Sequence, residues 1–198
     1  QDCAEFLDSN SDYCSASGLA LSFAVGLDWA CGEFVRTRQD DQRPSEDPNG
    51  RLRLLKFLSS SWSARFCVQR IVDFRNVATL ASKPPDRDFR ELVASCVPII
   101  RGKSKQLDRL FSLRQAHIQY YPLAYASDWI TDSDWFASYI FFADCLQEEL
   151  VRRDEVDKDE AEEVVKEAFR SYLERRLATG RVDPYQDPHQ NGGSRPRR

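Results

Sequence analysis

The chain has 198 residues, a formal net charge of −4 and 30% charged residues. That length suits one domain, or at most two small ones, with a proper hydrophobic core. The acidic balance argues against a nucleic-acid or anionic-membrane surface covering the whole protein, and no apolar run approaches the ~18 residues of a membrane span.

Six of the 28 cationic residues are Lys and the rest are Arg. We read this excess as codon composition, although Arg also suits planar, bidentate recognition. There is no Met, and residue 1 is Gln. The sequence therefore predicts a processed or trimmed N-terminus, which leaves a secreted, lumenal or organellar compartment open.

Residues 1–18 read as a short helix or irregular arm with a turn at Asn10, Ser11 and Asp12. Ala20, Phe23, Ala24, Leu27, Ala30, Cys31 and Phe34 then follow helical spacing, which predicts a helix over 19–38. Pro44, Pro48, Asn49 and Gly50 mark residues 39–50 as a loop. Leu55, Leu58, Trp62, Phe66, Cys67, Ile71, Phe74, Ala78 and Ala81 predict one long helical pattern over 51–81, with a candidate break at Ser59-Ser60-Ser61. Lys83-Pro84-Pro85 ends it.

Asp88 with Glu91 resembles a capping box opening the next helix, which Pro98 should kink or stop. Leu107, Leu110, Phe111, Ile118 and Tyr121 predict a helix over 103–121. The heaviest apolar load lies in 133–153, with Asp132, Ser133 and Asp134 to cap it. Its stripe is Trp135, Phe136, Tyr139, Phe142, Ala143, Leu146 and Leu150, widened by Ile140, Phe141 and Cys145. Asp157 starts a last helix that ends before Gly180. Residues 181–198 lack periodicity and read as a flexible tail.

The expected architecture is all-α: about six helices packed irregularly around a central helix at 133–153. The expected organisation is an N-terminal arm and first helix (1–38), a loop (39–50), a main helical domain (51–180) and the tail.

Chemistry is sparse. The two His, His117 and His189, lie far apart in the chain, and no Cys pair has the C-x-x-C spacing of a zinc site. The Asp clusters at 128–134 and 154–159 fall at helix starts, where capping already requires them. No phosphate-binding glycine loop is present. We therefore expect no metal, no cofactor and no catalytic residues. Arg101, Lys103, Lys105, Arg109 and Arg114 form a modest basic patch, read as a solvated face rather than a nucleic-acid site. Among the six Cys, Cys3 and Cys14 in the polar N-terminal segment are the disulfide candidates.

Two functional readings follow. The first is a non-catalytic helical protein that works by protein–protein contact, as an accessory or structural subunit. Its contact residues would be the aromatic shoulder Tyr120, Tyr121, Tyr125 and Trp129. The second is a secreted or lumenal disulfide-linked bundle that binds a receptor or a small apolar ligand. A helical enzyme whose Asp128, His117 and a Cys converge only in space is a weaker third.

Overall fold

The computed structural model describes residues 1–25, 34–39, 43–60, 67–115 and 129–179. In chain order the elements are α1 (Asp2–Ser9), β1 (Tyr13–Val25), β2 (Phe34–Gln39), α2 (Gly50–Ser59) and β3 (Val68–Gln69), then α3 (Ile71–Ala81), α4 (Arg87–Arg101), β4 (Lys103–Gln115), α5 (Trp135–Asp154) and α6 (Lys158–Thr179). The all-α expectation is overturned. The protein is mostly helical but carries a four-stranded mixed sheet.

β1 organises the sheet. It pairs in parallel with β4 from Tyr13 to Phe23, and antiparallel with β2 at one end and β3 at the other. Within the predicted helix over 19–38, residues 19–25 and 34–38 are instead parts of two paired strands, and the predicted helix over 103–121 begins as β4. The sequence hides this because helix-compatible apolar spacing overlaps a second, alternating pattern of small residues. Ala16 and Ala20 are fully buried on one face of β1, while Ser15 and Ser17 are buried on the other. Propensity yields here to pairing between segments about ninety residues apart, which no local window contains. The pairing also needs Gly18. The register slips where β4 passes it, and a Cβ there would lie 2.4 Å from the Arg109 carbonyl oxygen.

Against this sheet α1 packs Cys3 and Leu7 onto Ala16, a small core of its own. The large core is helical and draws on α2, α3, α4, α5 and α6. Its most enclosed element is α4, which buries Phe89, Leu92, Val93, Cys96, Val97, Ile99 and Ile100 and packs against α2, α3 and α5. The expected central helix, α5, buries Phe142, Leu146 and Leu150 but leaves Phe136 69% exposed. It is a wall of the core rather than its centre. Pro98 does not stop α4, which continues to Arg101.

Short polar side chains cap several helix starts, Asn49 among them at α2, although Asp134 at the start of α5 makes no capping hydrogen bond. Asp157 accepts from the Glu160 amide at 2.8 Å and opens α6, as the sequence predicts. Asp86, not Asp88, caps α4, accepting from the Phe89 amide at 2.8 Å. Asp88 instead binds Arg176 of α6 at 2.6 Å.

Arginines close the ends of α4 and α1. Arg53 of α2 is 1% exposed. It donates Nε to the Ile99 carbonyl (2.6 Å), Nη2 to the Ile100 carbonyl (2.7 Å) and Nη1 to the Asp47 carbonyl (2.6 Å). The last carbonyls of α4 have no amide partners of their own, and the negative end of the helix dipole favours a cation there. Opposite it, the Asp154 carboxylate accepts from the Gly50 and Arg51 amides at 2.8 and 2.7 Å and so caps α2. Gly50 permits the approach, since a Cβ there would meet the Ile100 carbonyl oxygen at 2.8 Å. Arg70 closes α1 in the same way. It donates to the Tyr13 carbonyl at 2.6 Å, the Asn10 carbonyl at 3.2 Å and the Leu7 carbonyl. Arg90 donates to the Pro84 and Pro85 carbonyls at 2.6 and 3.1 Å.

A buried ion pair joins α4 to α5. Arg101 grips the Glu149 carboxylate with Nε at 3.0 Å and Nη2 at 2.6 Å, and Arg152 adds a further hydrogen bond. Burial acts to raise the Glu149 pKa, but the Arg101 and Arg152 hydrogen bonds prevail and hold it below the ordinary carboxylate range.

Two outcomes are expected. Arg53→Met leaves three carbonyls without partners, and an unsatisfied buried group costs about 1–3 kcal/mol. Urea denaturation should therefore show a loss of at least about 3 kcal/mol, and a loss below about 1 kcal/mol would contradict the clasp. A depressed carboxyl pKa contributes stability above the unfolded value that is lost as pH falls through the native one. Glu149→Gln should accordingly destabilise the protein near neutral pH, and its deficit should shrink as pH drops below the unperturbed value of 4.5. Denaturation midpoints measured from pH 7 down to pH 3 check this; a deficit independent of pH would contradict it.

Candidate partner-binding surface

α3 follows β3 directly, and both of its ends are held. At its start the Arg70 side chain is bolted to the end of α1, while the Arg70 carbonyl accepts from the Phe74 amide at 2.9 Å. Just past its end, the Lys83 ammonium lies 5.8 Å from the centre of the Phe141 ring on α5. The side of α3 that faces inward is set by Val77, which packs into the helical core. Val77 is the residue of α3 that is buried, and Asp73, Leu80 and Ala81 share its inner side at half burial.

The outer side carries the larger apolar groups. Ile71 is 60% exposed, Val72 65% and Phe74 55%. Ile71, Phe74 and Ala78 fall at spacings of three and four and form one stripe, with Val72 flanking it across the exposed Arg75. Ile71, Phe74, Ala78 and Ala81 are the residues whose period predicts a buried face. Three of the four instead face solvent, and only Ala81 turns inward. Single exposed apolar residues are ordinary on a protein surface, whereas Ile71 and Phe74 lie side by side one turn apart, with Val72 also exposed next to Ile71 in the chain.

Of the expected aromatic shoulder, Trp129 falls among the described residues. Tyr120, Tyr121 and Tyr125 lie outside the described residues. Trp129 is 4% exposed. Its indole N–H faces both Asp86 carboxylate oxygens at 3.2 Å, and the Arg176 guanidinium lies 4.1 Å from its ring centre. Arg176 is held there by Asp88 and by the Tyr172 hydroxyl at 2.9 Å. Trp129 thus joins the aromatic core around Phe89, whose ring centre lies 5.1–5.8 Å from those of Trp129, Trp135, Phe142 and Phe169. Nothing in the residue types distinguishes this core from a binding shoulder. The distinguishing signal is the spacing of Phe169 and Tyr172 on α6, which presents two rings to the same place.

The basic patch is largely paired within the molecule. Arg101 binds Glu149, Lys103 binds Asp12 at 2.8 Å, Lys105 binds Glu46 at 2.9 Å and Arg109 lies 3.6 Å from Asp2. Among the described residues no three His, Cys, Asp or Glu side chains are grouped to hold a metal. His117, His189 and Asp128 are outside them. No helix among the described residues is long and apolar enough to cross a membrane.

Cys3 and Cys14 are free thiols. Cys3 sits with Leu7 and Ala16, whereas the Cys14 sulfur lies against Gly102, where α4 meets β4. Burial pushes both thiols up, and pushes Cys145 up to about 11. Such thiols are poor nucleophiles near neutral pH.

Comparison with protein-family models, with curated proteins and with solved structures finds no match for this chain.

The α3 patch should be dispensable to the fold. Ile71→Ser and Phe74→Ser should each change stability by no more than about 0.5 kcal/mol, whereas Val77→Ala on the inner side should cost about 1 kcal/mol or more. The reverse ranking in urea melts would show that the helix is turned the other way. Alkylation in denaturant without reductant, followed by peptide mass spectrometry, should find Cys3 and Cys14 modified separately. A peptide linking them would contradict the free thiols.

Proposed function

We propose that this protein works by protein–protein contact, as a non-catalytic accessory or structural subunit, and that the outer face of α3 is where its partner binds. One observation carries the reading: an anchored helix whose large apolar side chains, Ile71, Val72 and Phe74, point away from the core. Fully burying such a side chain is worth roughly 1.5–3 kcal/mol. The isolated fold forgoes much of that stabilisation at three positions, and a partner's groove would recover it. Recognition of one apolar helix face through anchors three and four residues apart is a recurrent mode of association. The exposed Arg75 beside the stripe adds a residue type enriched at interface hot spots. The contact residues of this proposal are therefore Ile71, Val72, Phe74 and Arg75, in place of the buried Trp129.

The test is co-purification from the native source, comparing the parent chain with Ile71→Ser/Phe74→Ser. Mass spectrometry should identify a discrete partner set with the parent and lose it with the double variant, at an unchanged denaturation midpoint. An unaltered partner set would move the contact elsewhere on the molecule. A parent chain that purifies alone as a monomer would end the proposal.

A further inference from the structure

No further inference is drawn: the strongest candidate, the exposed apolar side chains Leu110 and Leu113 on β4, carries nothing because nothing in the structure shows what covers them.

Discussion

The guanidinium of Arg53 closes the helical core at the place where three of its helices meet end to end. It lies where the end of α4, the start of α2 and the end of α5 converge, and it caps the first of these while Asp154 caps the second. Gly102, which joins α4 to β4, lies two residues past Ile100. The position of the sheet relative to the helical core therefore depends on the same junction. A buried charge is costly unless its hydrogen bonds are complete. All three donor nitrogens of Arg53 find carbonyls, two of them at the negative end of a helix. Burial lowers its pKa, and the nearby Asp154 carboxylate opposes that shift.

The same chemistry recurs with Arg70 at the end of α1 and Arg90 on the turn before α4. Arg101 uses its fork on the Glu149 carboxylate, tying α4 to α5, and Arg176 spans the Tyr172 hydroxyl and the Asp88 carboxylate, tying α6 to α4. Composition alone suggests that the surplus of Arg is incidental. In the fold, at least these five have geometric work that Lys would do poorly, because a single ammonium cannot span two carbonyls with the fixed angle of a guanidinium. Residue counts carry no such information, since the carbonyls in question become neighbours only after folding.

What the sequence reveals divides along the same line. α6 is legible from Asp157 to its last turn because cap, charge gradient and apolar stripe agree locally. The stop before Pro84 is legible for similar reasons. The single helical pattern read over 51–81 is instead two helices, α2 ending at Ser59 and α3 starting at Ile71 after the strand β3, and the serines at 59–61 only hint at that division. The sheet is not legible, because β1 and β4 are far apart in the chain and Gly18 looks like any other interrupting glycine until the β4 backbone crosses it. The α4 cap is displaced by two residues because Asp86 and Asp88 are both competent, and Arg176, some ninety positions away, decides between them. Periodicity finds the apolar stripe of α3 but says nothing about which side meets the core. The core takes up Val77, with Leu80 and Ala81 beside it, and leaves Ile71 and Phe74 outside.

The candidate surface follows from this construction. Because Arg70 ties the start of α3 to α1 and Val77 packs it into the core, its outer face is presented on an element already in place, and a partner would not have to order it. The central claim is that Ile71, Val72 and Phe74 are open in the isolated chain and covered in the native assembly. Carbene footprinting of both forms, read out by peptide mass spectrometry, tests it most directly. The account predicts strong labelling of these three side chains in the isolated chain and protection in the assembly, with Val77 unlabelled in both. Equal labelling in the two forms, or protection already present in the isolated chain, would contradict it.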